Sequence, residues 1–202
     1  MLRAILAVLL VSGCGSGALS PSRPLSLSKG AVASPESTAA EVGASVLARG
    51  GNAVDAAVAV AFALAVTFPN AGNLGGGGFM IVPMNGEAFS IDYRETAPAA
   101  ATRDMYLDEK GNPRGDESLR TCKAAGVPGT VAGLWHAHRK WGAMAWKDLL
   151  APAIELAGGW TMPESSAKSL SPLAANAGFS AEWSLDGHRL AQKNLAEALG
   201  RI

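Results

Sequence analysis

Cysteine is scarce in this chain. There are two in 202 residues, Cys14 and Cys122, and no Cys/His spacing of a zinc site surrounds them. His136 and His138 stand two apart on a predicted helix, so they point to different faces and make a poor metal pair. The residues therefore imply neither a metal nor a cofactor. Neither sign of charge is in excess. The 17 basic residues balance the 17 acidic ones, which gives no ground for a nucleic-acid partner. The phosphate-binding glycine patterns are also missing. Gly75–Gly78 opens a predicted strand, not a helix, and no Gly-Lys-Ser/Thr follows it. There is no Gly-x-Ser-x-Gly nucleophile elbow.

What the chain does have is apolar and small residues, 49% hydrophobic with 24 glycines, the composition of a globular α/β protein with close backbone packing. It opens like an export signal. Arg3 is a minimal positive region and Ala4–Val11 an apolar one, too short to span a bilayer. The run ends in Val11-Ser12-Gly13-Cys14, which resembles the lipobox of bacterial lipoproteins. That likeness implies cleavage before Cys14, its acylation, and an exported protein held at a membrane of the periplasm or cell envelope by lipid. Only Cys122 would then remain, leaving no partner for an intrachain disulfide. Residues 1–14 are thus expected as signal peptide with lipobox. Residues 15–32, rich in Ser, Pro and Gly, are expected as a flexible tether, and 33–202 as the folded part.

The stretch 70–95 organises that part. The glycine run feeds Phe79–Val82, Asn85-Gly86 follows, and Ala88–Tyr93 alternates. Asn-Gly between two such runs predicts a two-residue hairpin turn. The register then sets Met84 opposite Glu87, Pro83 opposite Ala88, Val82 opposite Phe89, Met80 opposite Ile91 and Gly77 opposite Arg94. Met80, Val82, Phe89, Ile91 and Tyr93 share an apolar face, and Ser90, Asp92 and Arg94 the other. Arg94 faces a residue with no side chain, beside bare backbone amides. A guanidinium fork there is suited to grip a carboxylate. The plainer alternative pairs Arg94 with Asp92 or Glu95 on a solvated face. Acid/base work by Asp92 and Glu95 is a further possibility, with charge pairing favoured over it.

Helices are predicted on either side. Ser34-Pro35-Glu36 reads as the start of the first, with Ser34 as cap and Pro35 at its first position, and Gly50-Gly51 as its stop. Asn52 caps a second helix over 53–66, apolar nearly all round and therefore buried. Further helices are expected over 131–140, with Val131, Leu134, Trp135 and His138 on one face, and over 146–157, with Pro152 starting a segment or kinking it. Residues 108–118 read as a surface loop and 163–187 as weakly patterned. A last amphipathic helix is expected over 190–199, cut off at Ile202, an ending that suggests a fragment.

Four blocks carry a resemblance. They are Ala48-Arg49-Gly50-Gly51-Asn52-Ala53-Val54-Asp55-Ala56-Ala57-Val58-Ala59, Asn70-Ala71-Gly72-Asn73-Leu74-Gly75-Gly76-Gly77-Gly78-Phe79-Met80, Asp92-Tyr93-Arg94-Glu95-Thr96-Ala97-Pro98 and Pro128-Gly129-Thr130-Val131-Ala132-Gly133. Together and in this order they resemble the γ-glutamyltranspeptidase (glutathione hydrolase) family, from the first part of its large subunit. The resemblance implies the αββα sandwich of N-terminal nucleophile hydrolases, incomplete in this chain. It implies a self-cleaving precursor whose small subunit begins with a nucleophilic threonine. It also implies cleavage of the γ-glutamyl bond of glutathione, with transfer to water or an amino acid. In that family the arginine of the Asp-x-Arg-Glu motif binds the donor α-carboxylate, and the position here is Arg94.

The chain departs from the family where the chemistry is done. No Thr-Thr-His-like processing site is present, Thr130 and the other threonines lie in the wrong contexts, and no catalytic residue is expected in these residues. The chain as written is expected to be inactive alone. Two alternatives stand beside this reading: a truncated or degenerate protein that binds γ-glutamyl compounds without cleaving them, and a related N-terminal nucleophile acylase.

Overall fold

The computed structural model describes residues 26–27, 30–164, 166–167, 184–186 and 188–202, so the expected signal segment and Cys14 lie outside the described residues. Two short strands, β1 (Ser26–Leu27) and β2 (Gly30–Ala31), pair antiparallel inside the stretch expected as a tether.

Helix α1 runs Ser37–Ala48. Its cap is Glu36, not Ser34. The Glu36 carboxylate accepts from the backbone N–H of Thr38 at 3.0 Å and of Ala39 at 2.9 Å. Its two oxygens serve two of the free N–H groups at the positive end of the helix, and Pro35 stays outside. The helix closes as expected at Gly50, whose φ of +93° is the left-handed conformation that glycine adopts without strain.

Helix α2 spans Ala53–Thr67, and ten of its fifteen residues are buried, including Phe62, Val58 and Val66. Asn52 caps it by accepting from Val54 and Asp55, and Asp55 reaches back to the Asn52 N–H at 2.9 Å. Asp55 does more than complement the dipole. It is 0% exposed and also accepts from the N–H of Ala143 at 3.0 Å and of Met144 at 3.3 Å. Asn52 Nδ2 donates to Trp141 O at 2.6 Å. These bonds fasten the start of α2 to the loop between the next two long helices.

Strands β3 (Phe79–Met84) and β4 (Glu87–Asp92) form the hairpin in the expected register, Met80 with Ile91, Val82 with Phe89 and Met84 with Glu87. Asn85 has φ +52° and Gly86 +83°, as the turn requires. Val82 is buried, and Met80, Met84 and Ile91 pack on the same core as α2. The opposite face carries Phe79 and Ile81, 60% and 71% exposed.

A short helix α3 (Glu117–Arg120) and a 3-10 turn (Cys122–Ala124) follow an exposed loop, held by the N–H groups of Lys110 and Asn112 on the Asp108 carboxylate. Helix α4 (Thr130–Trp141) buries Gly133, Leu134 and Ala137. Trp135, expected on one face with Val131, Leu134 and His138, is 42% exposed, at the rim of an aromatic cluster with His138 and Trp146. His138 is half-buried, and its Nε2–H donates to Met144 O at 2.8 Å.

Helix α5 (Trp146–Ala157) continues through Pro152, which starts no new segment. Buried Leu149, Leu150 and Ala153 hold the helix to the core on both sides of that residue. The last helix begins later than expected. Leu190 and Ala191 belong to a strand, β7 (Arg189–Ala191), set between β5 (Trp160–Thr161) and β6 (Ser184–Asp186). Leu190 is fully buried opposite Trp160, a partnership outside any local window. Helix α6 then runs Lys193–Arg201 against α5.

Candidate functional site

The site lies where β4 ends. Tyr93 N–H donates to Gly78 O at 3.0 Å, extending the pairing beyond β4. The next residue back on the facing side, Gly77, runs against Arg94. A Cβ on Gly77 would stand 2.5 Å from Tyr93 O and 2.8 Å from Arg94 Cα, so only glycine fits. The juxtaposition expected from the hairpin register is therefore realised.

A third segment completes the corner. Residues 126–130 run antiparallel to 93–96, with Thr96 N–H donating to Val127 O at 3.2 Å and Val127 N–H to Thr96 O at 2.8 Å. Gly129 presses on Tyr93 O, so Arg94 sits between two glycine backbones. The glycine loop is tied to the start of α4. Gly129 and Thr130 N–H groups both donate to Gly76 O, at 2.8 and 3.0 Å. Asn73 Oδ1 accepts from Gly76 N–H at 2.9 Å and from the Thr130 hydroxyl at 2.8 Å.

Thr130 is buried and its hydroxyl is spent on Asn73, so it is a structural residue and not a nucleophile. Sequence reasoning missed this tie between Asn73, Gly76 and Thr130. The signal lay in Asn73, three residues before Gly76, and in the helix start at Gly129-Thr130, but nothing local says that the two meet.

The Arg94 side chain is 62% exposed. Its Nε stands 3.3 Å from Glu95 Oε2, and its guanidinium carbon 5.8 Å from the centre of the exposed Phe79 ring. Its backbone N–H donates to Asp92 Oδ1 at 3.0 Å. The pairing with Glu95 foreseen as the plainer reading is thus present in the unliganded chain. It does not exhaust the guanidinium, whose two terminal nitrogens stay outside that bond.

Glu95 is held below the usual glutamate range, first by its own backbone N–H, then by the Arg94 side chain and the Gly77 N–H. Burial pushes the Tyr93 phenol up. The corner therefore keeps a fixed negative charge beside a cation with free donors. Chemically it can take a carboxylate, as a bidentate guest of Arg94. Beside it Glu95, Thr96, Tyr106, Lys123 and Gly126 edge a shallow cavity of about 370 Å³.

Among the described residues no group of His, Cys, Asp or Glu is placed to hold a metal ion. His138 commits its Nε2 to Met144 O. Cys122 is exposed and free. No helix among the described residues is long and apolar enough to cross a membrane.

Comparison with known proteins places the chain in a family. The model of the family described as Gamma-glutamyltranspeptidase matches residues 39–202. The glutathione hydrolase proenzyme of Pseudomonas aeruginosa is 59% identical over 128 residues, 63% of this chain and 23% of that protein. That of Escherichia coli K12 is 48% identical over 169 residues, 77% of this chain and 29% of that protein. Among solved structures, a gamma-glutamyltranspeptidase from Pseudomonas nitroreducens complexed with L-DON superposes with a TM-score of 0.77 at 46% identity, covering 88% of this chain and 55% of that one. The chain thus spans about a quarter of the length of the curated relatives it matches. With the family model covering four-fifths of its residues, the chain belongs to the gamma-glutamyltranspeptidase family.

Proposed function

We propose that this chain supplies the donor-carboxylate grip of a glutathione hydrolase and γ-glutamyltransferase. Arg94 binds the α-carboxylate of a γ-glutamyl donor such as glutathione. A threonine at the N-terminus of a small subunit, cut from the same precursor, attacks the γ-carbonyl through its hydroxyl oxygen. The C–N bond breaks, the amine leaves with a proton, and the acyl group passes to water or to an amino acid. The hairpin β3–β4 is then part of an αββα sandwich, and its uncovered Phe79 and Ile81 face is where further strands of the precursor lie.

The observation that carries this reading is the corner itself. An exposed arginine is set between the Gly77 and Gly129 backbones, with its terminal guanidinium nitrogens outside the Glu95 bond. The test starts with the protein expressed from its full open reading frame, read past codon 202. Self-cleavage ahead of a threonine, together with release of the amine from a γ-glutamyl anilide, is the expected result. An uncleaved product that leaves the anilide intact contradicts it.

A second reading has one observation in its favour. The Thr130 hydroxyl, at the start of α4 beside the glycine run, is buried and engaged by Asn73. On that reading the chain binds γ-glutamyl compounds without cleaving them. Binding of glutathione without turnover, lost in Arg94→Ala, distinguishes it.

A further inference from the structure

The backbone of Arg94 is fixed by Gly77 and Gly129, but the side chain needs a further constraint, because a long arginine on a strand end has many rotamers. The neighbouring residue supplies a candidate. Tyr93 points inward, half-buried, onto α4, and the surface it meets there is Gly133. A Cβ on Gly133 would overlap the Tyr93 Cβ and Cγ and stand 2.6 Å from Cδ1. These atoms are the stem of the side chain, next to the backbone, and cannot swing aside as a ring tip can. The ring tip is located too. A Cβ on Gly78 would stand 3.0 Å from Tyr93 Cε2, and the phenol donates to Phe79 O at 3.4 Å. Phe79 in turn carries the ring over which the Arg94 guanidinium lies. Tyr93 is thus gripped at its stem by α4 and at its tip by the glycine run. Arg94 follows it directly in the chain and leans on the same strand.

We infer that Gly133 is a positioning residue for Arg94: the gap it leaves on α4 seats the stem of Tyr93 and thereby sets where the guanidinium points. The part of this inference that concerns substrate rests on the reading of Arg94 as the donor-carboxylate ligand. The part that concerns the position of Arg94 does not.

The experiment uses the protein from its full reading frame, 15N-labelled at arginine, and compares Gly133→Ala with Gly43→Ala. Gly43 lies on α1, where a Cβ would stand 2.5 Å from Val60 Cγ2, a tight contact far from the corner. Both variants lower the melting temperature. Only Gly133→Ala is expected to shift the Arg94 Nε–H resonance and to weaken its contact with the Phe79 ring. Only Gly133→Ala is expected to raise the KM for a γ-glutamyl donor, by about tenfold or more with kcat within about threefold, since misplacement on the order of 1 Å is enough for such losses. Tyr93→Phe keeps the stem and loses the phenol's bond to Phe79 O, so it is expected to move both readouts less than Tyr93→Ala. Tyr93→Ala removes the stem and is expected to move both, which keeps the test open if Gly133→Ala does not fold.

An Arg94 resonance unmoved in Gly133→Ala, with a melting temperature lowered as in Gly43→Ala, overturns the inference. So does an unmoved resonance in Tyr93→Ala. A shifted resonance with an unchanged KM leaves the cradle standing and refutes the substrate role of Arg94 instead.

Discussion

At the scale of single residues the corner is an arginine and a glutamate adjacent in the chain, on backbone with no room for side chains opposite. Glu95 is the fixed anion of the pair, its carboxylate stabilised by its own N–H, by Arg94 and by Gly77 N–H. A carboxyl whose pKa is lowered on folding contributes stability that is present above the ordinary glutamate range and is lost as pH falls through the lowered value. Followed by carboxyl-carbon NMR, Glu95 is expected to titrate below the ordinary 4.5, and Arg94→Ala to move its midpoint upward. A midpoint at or above the ordinary value removes the pair from the account. The arginine and its bare partner Gly77 were both legible in the sequence, because a two-residue Asn-Gly turn fixes every pairing back to the glycine run. The hold of Gly129 and Gly133 on Tyr93 was not legible. It joins residues some forty positions apart, and no periodicity in either segment points to the other.

Among the elements, α2 is the member around which the others pack, with α1, α4 and α5 against it. Its burial was foreseen from a sequence apolar on every side, and its length was right to one residue. What fastens it was only half foreseen. Asn52 and Asp55 read as cap and dipole partner. Their bonds to Trp141, Ala143 and Met144 come from the end of α4 and the loop after it, almost ninety residues on, and their presence explains why a carboxylate is tolerated at 0% exposure. Asp55→Ala strips a cap from α2 and leaves the N–H groups of Ala143 and Met144 without acceptors. The expected cost is roughly 2–4 kcal/mol in urea or thermal unfolding, with Asp55→Asn costing less because one acceptor oxygen remains. A loss below about 0.5 kcal/mol for Asp55→Ala shows that the anchor is dispensable. The late start of the last helix has a tertiary cause. Leu190 and Ala191 look helical beside Leu195 and Leu199, but a strand partner at Trp160 takes them, and only tertiary pairing decides such short apolar runs.

For the whole molecule, the described residues bury one face of the hairpin and leave Phe79 and Ile81 uncovered on the other. An apolar strand face of this kind invites association unless more protein covers it, as the proposed sandwich does. Where the molecule sits in the cell turns on Cys14. If Val11–Cys14 is a lipobox, Cys14→Ser releases the protein from the membrane fraction into the soluble one. Retention of the variant in membranes contradicts the anchor.

The central claim, that Arg94 grips the donor α-carboxylate, is tested most directly by measuring kcat/KM for wild type and Arg94→Lys on two anilides. One carries the γ-glutamyl group, and the other is its analogue lacking the α-carboxylate. Lysine keeps the charge and loses the fork. The account predicts that the variant loses roughly ten- to a hundredfold on the γ-glutamyl donor, the size of a charged hydrogen-bond pair, and little on the analogue. Equal losses on both substrates, or none on either, contradict it.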